Sequence, residues 1–237
     1  MMLPYELRQL IKQAQESVRC HPQHDLNLGY RQAIWAALGP SRHSQKTIGS
    51  EGHKRRVLLA VLAVRHVLPI WHQVWPDDQT PQRILAHVSQ VMKGKMSQQA
   101  ALRDIDRFWE YIDLLGSQSQ NMAAAVGFAA VQALTTAVVD EFFDEIDLNL
   151  TDSEEFESND ASFHAAVAYA NGPLWEIDAS PAPNSQKRQQ FWQWWLTEAV
   201  PKSWQSISPK RAGTDGWHMQ GEPHLEWPSI ALPQRPR

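Results

Sequence analysis

Apolar residues recur along this chain at helical spacing, and strand-like alternation is nearly absent. Leu3, Leu7, Leu10, Ile11, Ala14 and Val18 mark a first amphipathic helix, broken at His21-Pro22. Leu26, Tyr30, Ile34, Trp35 and Leu38 mark a second, closed by Gly39-Pro40. Polar residues from Ser41 to Gly52 predict a loop. A long helix follows from about Lys54 to Trp75, apolar around most of its circumference between Val57 and Val64. Pro69 removes a backbone hydrogen bond inside it, which predicts a kink or break near His66.

Trp75-Pro76-Asp77-Asp78 predicts a sharp stop. Thr80-Pro81 restarts the chain, with threonine as N-cap and proline in the first helical position. Ile84, Leu85, Val88, Val91 and Met92 face inward, and Lys93-Gly94 closes that helix. Ser97 caps the next, whose stripe is Ala101, Leu102, Ile105, Phe108, Trp109 and Ile112, ending at Gly116-Ser117. An alanine-rich helix is expected from about Ser119 to Ile146, with small residues that let neighbours approach closely. Then come an acidic loop from Asp147 to Asp160, a short helix from Ala161 to Ala170 and a linker from Ala179 to Ser185. Phe191 to Trp204, FWQWWLTEAVPKSW, gathers its aromatic residues on one broad helical face. That face predicts a core-facing helix that seals the bundle. Glu198 falls inside the aromatic arc, so it must reach solvent, an arginine or a tryptophan N–H. The expected fold is all-α: one bundle of about seven to nine helices over residues 1–206, with an extended Pro- and Gly-containing tail over 207–237.

Charge changes this picture. The net charge is only −4, yet Phe108 to Gln186 contains no lysine or arginine. Its carboxylates include Glu110, Asp113, Glu176 and Asp178, and ten crowd between Asp140 and Asp160. Such asymmetry bears on partners rather than on fold. Arg42, Lys46, Lys54, Arg55 and Arg56 form a basic cluster that reads as a charged loop and helix end, as a phosphate contact, or as an internal partner for the acidic segment. It is too small to predict nucleic-acid binding. Cys20, the one cysteine, has no partner for an internal disulfide, which predicts a reducing, cytoplasmic setting. No secretory leader is evident at Met1. The uncharged run from Met122 to Val139 reaches the minimum length of a membrane span. It is rich in alanine, carries Gln132, Thr135 and Thr136, and meets Asp140 and Glu141, so a buried central helix is expected. Val57 to Val64 is too short to span. No membrane partner is expected.

No motif announces a reaction. Asp147 to Ser153 has the alternating oxygens of a calcium loop, but Asp152 stands where that loop needs glycine and Ser158 where it needs glutamate. Asp140, Asp144 and Asp147 would share a helix face, as would Glu141 and Glu145, without the Glu-x-x-His pairs of di-metal bundles. His21, His24 and Asp25 make at most a partial metal site. Neither a metal nor another cofactor is expected.

Two stretches carry a resemblance. RHVLPIWHQVWPDDQTPQRILAHVSQVMKGKMS, Arg65 to Ser97, and FWQWWLTEAVPKSW, Phe191 to Trp204, resemble the Imm-five family of predicted immunity proteins of bacterial polymorphic toxin systems. The likeness extends from the second helix to about Trp204. It implies an all-helical protein, encoded beside a toxin, that binds and neutralises it without known catalytic apparatus. Within the first stretch, Asp77 and Asp78 sit near the start of the next helix, and Arg83 is placed to reach back and latch that turn.

The leading expectation is therefore a non-enzymatic binding protein whose acidic face docks on a basic cognate toxin. Its expected contacts are Asp140, Glu141, Asp144, Glu145, Asp147, Asp152, Glu154, Glu155 and Glu157, with Phe142, Phe143 or Phe156 as apolar anchors. The alternative is a helical enzyme or small-ligand protein with a pocket between the Pro69 helix and the tryptophan helix, lined by His66, His72 and Glu198. A scaffold or oligomerising module is the third.

Overall fold

A computed structural model describes residues 2–39, 49–119, 122–140, 143, 146–155, 160–172 and 183–207. They are helical, with no strand among the described residues. The first four helices are α1 (Tyr5–Cys20), α2 (Leu28–Ala37), α3 (Glu51–Val74) and α4 (Thr80–Met92). Then follow α5 (Gln98–Ser119), α6 (Ala124–Val138), α7 (Ala161–Ala170), α8 (Ser185–Trp194) and α9 (Val200–Ser206), the last two joined by a π-helical turn over Trp195–Ala199. The expected tail beyond Ile207, the linker as far as Ala182 and most of the first loop lie outside the described residues; Asn184 and Ser185, expected in the linker, cap and begin α8.

The core forms around α3 and α6, which pack on each other and on α7. Both are apolar nearly all round, as a central helix must be. Small side chains on α6 set the spacing: a Cβ on Gly127 would lie 2.9 Å from Ile112 of α5. Among the described residues, α3 alone reaches by length and composition the requirements of a membrane span, which Val57 to Val64 does not; 56% of its most apolar 18-residue window is buried inside the fold. It also runs unbroken through Pro69, so the expected break is absent. Buried residues on both sides, Val67 and Trp71 among them, hold the helix across the missing hydrogen bond.

α6 departs more from expectation. It starts at Ala124, after a separate α5, and stops at Val138 rather than near Ile146. Val139 is extended, and the chain leaves the helix axis just before Asp140. Local caps end several helices. Ser50 accepts the amide of His53, Asp160 those of Ser162 and Phe163, and Asn184 that of Lys187. Asn171 closes α7 in the left-handed region at φ 62°.

The tryptophan segment seals the core as expected. Phe191, Trp192, Trp195 and Leu196 are fully buried. Two of its indole N–H groups are matched: Trp192 donates to Asp25 Oδ1 at 2.6 Å and Trp195 to Ser162 Oγ at 2.9 Å. In the π turn the Val200 amide donates to the Trp195 carbonyl, five residues back. Glu198 on this turn is exposed, which resolves its place in the aromatic arc.

His164 on α7 lies between the rings of Phe128 and Phe163, with centroids 5.6 and 5.4 Å away. Burial pushes its imidazole down to about 4, against the pull of Asp152. The unfolded chain takes up a proton near pH 6.5 that the folded chain refuses until about pH 4. Stability should therefore fall as pH drops through that window, by on the order of 2 kcal/mol for this group. His164→Phe should flatten the slope of denaturation free energy against pH there. A residual slope of the same sign should persist from His53, His66 and His87, which burial also lowers.

Candidate functional site

The acidic segment is tied to the bundle from inside. Its first carboxylate, Asp140, turns inward as soon as α6 ends. Oδ1 accepts from Arg56 Nε at 2.9 Å and from Nη2 at 2.7 Å, and the side chain is 3% exposed. Arg56 Nη1 donates to the carbonyls of Trp35 and Gly39, so α3 clamps α2 and Asp140 at once. This pair realises the reading in which the basic cluster meets the acidic segment within the molecule. It also means that Asp140 and Asp147 do not share a helix face, because neither lies in a helix.

A second anchor lies deeper. Arg31 of α2 is wholly buried. Its Nη1 donates to Asp152 Oδ2 at 3.0 Å, Nη2 donates to Asp152 Oδ1, and Nε donates to Asp160 Oδ2 at 2.8 Å. Nη1 also reaches the Leu26 carbonyl at 2.7 Å. Burial opposes the charge on Arg31, but Asp152 and Asp160 overcome it and hold the guanidinium above its ordinary value. Trp192 and Phe163 flank it at 5.5 and 5.9 Å. Asp160 has two tasks, since its other oxygen caps α7. A third buried arginine, Arg188, stands 3.6 Å from Asp25.

Backbone contacts complete the mooring. The Gly29 amide donates to the Leu150 carbonyl at 3.1 Å. A Cβ on Gly29 would lie 1.8 Å from the Asp147 carbonyl oxygen, so only glycine lets the loop lie on α2 here.

Asp140 and Asp152 were expected on the outer face. Both are corrected: they are buried partners of Arg56 and Arg31. Asp147, Glu154 and Glu155 are exposed. Glu154 accepts from the Thr151 hydroxyl at 2.6 Å and amide at 2.9 Å, which holds its carboxyl below the usual range. Asp147 Oδ1 accepts the Asn149 amide at 2.9 Å. With Asp152 turned inward, the loop's alternating oxygens do not converge. Glu141, Asp144, Glu145 and Glu157, with Phe142 and Phe156, lie outside the described residues. Phe143 is half-buried, its ring centroid 5.7 Å from that of Trp35. A cleft of about 30 Å³ lies beside them, lined by Trp35, Arg56, Asp140, Phe143, Asp160 and Ser162 among others.

The alternative pocket is dispersed. His66 stacks on Trp194 with centroids 3.7 Å apart and feels the charge of Glu198. His72 instead pairs with the Gln82 amide on α4. The three residues do not converge on one space. The expected latch at the turn also differs. Asp78 accepts the Thr80 amide at 2.7 Å and the Tyr111 hydroxyl at 2.6 Å, while Arg83 donates to Thr80 Oγ1 at 2.8 Å rather than to an aspartate. Asp77 is exposed, and Thr80 lies inside the helix, one residue past the cap. His21 Nδ1 accepts the amides of Gln23 and Asp25, His24 contacts the Val18 carbonyl, and Asp25 holds Trp192. Each has a structural task.

Sequence reasoning missed Arg31 and Arg188. The signal for Arg31 was present: it stands three and four residues before Ile34 and Trp35, on the apolar face of α2. Arg31→Met should leave two buried carboxylates without their cation and cost about 3–5 kcal/mol in chemical denaturation. Gly29→Ala, at a helical position where alanine ordinarily stabilises, should instead destabilise by about 1–3 kcal/mol and increase amide exchange at Leu148 to Leu150.

No curated protein gives a significant match to the chain. A family model described as immunity protein Imm5 matches residues 11–202, so the match runs from α1 into α9 and includes both anchoring arginines and the whole acidic segment. The chain belongs to the Imm5 family of immunity proteins.

Proposed function

We propose that this protein neutralises a cognate bacterial toxin by binding it through the outward carboxylates of the acidic segment. The observation that carries the reading is the division of labour within that segment. Asp140, Asp152 and Asp160 hold it to α2 and α3, while Asp147, Glu154 and Glu155 face solvent on the loop so fixed. An exposed loop that is already ordered loses less freedom when it binds than a free acidic tail would.

The partner that suits such a surface is a toxin with a basic face. Carboxylates complement it, speed encounter through long-range attraction and disfavour acidic competitors. Inhibition then follows from occupation of that face, with no bond made or broken by the immunity protein. The acidic surface gives no support to nucleic-acid binding, since phosphates would be repelled. The single cysteine suits a cytoplasmic site of action.

The test is co-purification with the toxin encoded next to this gene, followed by a salt titration. The Glu154→Lys/Glu155→Lys double variant should keep its unfolding transition, because both side chains are exposed. It should bind at least about tenfold more weakly, mostly through a slower association rate that salt no longer changes. Unchanged affinity with unchanged salt dependence would remove this surface from the interface.

A further inference from the structure

We propose that the cleft between α2, α3, the end of α6 and the start of α7 receives the ammonium group of a lysine side chain from the protein partner. This rests on the binding reading above and adds a specific receptor to it.

The first observation is an incomplete pair. Both Arg56 donors fall on Oδ1 of Asp140, and the other oxygen, Oδ2, is buried with no hydrogen-bond partner. A carboxylate oxygen removed from water carries a substantial penalty until a donor meets it. The second is charge. Among the described residues, Asp140, Asp152 and Asp160 pair with Arg31 and Arg56, three carboxylates to two guanidiniums. His53 adds no positive charge. Its Nδ1 accepts the Gly49 amide and its Nε2 faces the Thr136 carbonyl, so the ring is the neutral tautomer. Asp25 and Arg188, next along the network, offset each other.

The third observation is shape. The space of about 30 Å³ suits one small donor group, and the rings of Trp35 and Phe143 form part of its wall. A planar guanidinium needs more room than a single small donor group. An ammonium is compact, donates up to three hydrogen bonds and arrives on a thin apolar stem that aromatic rings can cover. The cleft also adjoins the acidic segment, where a basic partner would be drawn.

The probe is n-butylammonium chloride, titrated at constant ionic strength into the full-length isotope-labelled protein. Amide signals of Phe143, Ala161 and Ser162 should shift along a saturable curve. Uncharged n-butanol, of similar size, should bind at least about tenfold more weakly. Asp140→Asn should abolish the saturable response, with folding checked by circular dichroism. Should that variant not fold, Phe143→Leu decides the matter: it leaves the ion pair intact and should weaken the amine several-fold. An unsaturated response, equal binding of butanol, or full binding by either folded variant would overturn the proposal and leave a cleft that holds water alone. No toxin is needed for this titration. A protein that binds its toxin yet ignores the amine refutes the cleft only, whereas one that takes the amine but binds no toxin refutes the functional reading only.

Discussion

Arg31 is the residue on which this arrangement turns. It is buried, it joins α2 to the later part of the loop before α7, and it meets Asp152 through a fork and Asp160 through Nε. A guanidinium in such a place is tolerable only if its donors are matched. Here two carboxylates and a carbonyl do so, and aromatic rings lie on two sides. Arg56 repeats the device at the other end of the segment with Asp140. Ten acids in twenty-one residues would repel one another and resist order. Arg31 and Arg56 relieve part of that repulsion and hold Asp140, Asp152 and Asp160 against the bundle.

The same pairs link fold to function. α3 and α6 supply a dry core, the tryptophan segment closes it, and α7 is capped by an aspartate that also grips α2. Trp195 reaches Ser162 at the start of α7, and Trp192 reaches Asp25, so the seal and the acidic loop share neighbours. Perturbing the loop's anchors therefore disturbs the bundle, whereas changing Glu154 or Glu155 leaves it intact. On the proposed reading, binding specificity varies at the outer carboxylates without endangering the fold.

Much of the fold was legible because helical periodicity is strong and caps are local. The positions of α1, α3, α4, α7 and the tryptophan helix follow from spacing alone. The end of α6 was not legible, because the apolar and acidic residues after Val138 continue to suit a helix. Just past that end Asp140 meets a distant cation, Arg56, which no local pattern reveals. For the same reason the acidic patch was only half legible. Sequence counts charges but cannot divide Asp152 from Glu154, two residues apart, into a buried anchor and an exposed side chain. Arg31 could have been found as a charge on an apolar helix face. Arg188 carried the same signal, three and four residues before Phe191 and Trp192.

The division of the acidic segment into anchors and contacts is tested most directly by carbodiimide labelling of carboxylates in the native protein, read residue by residue by mass spectrometry. Asp147, Glu154 and Glu155 should react readily in the free protein and become protected in the toxin complex. Asp140, Asp152 and Asp160 should stay protected in both. Asp140 and Asp152 reacting as fast as Glu155 in the free, folded protein would contradict the account.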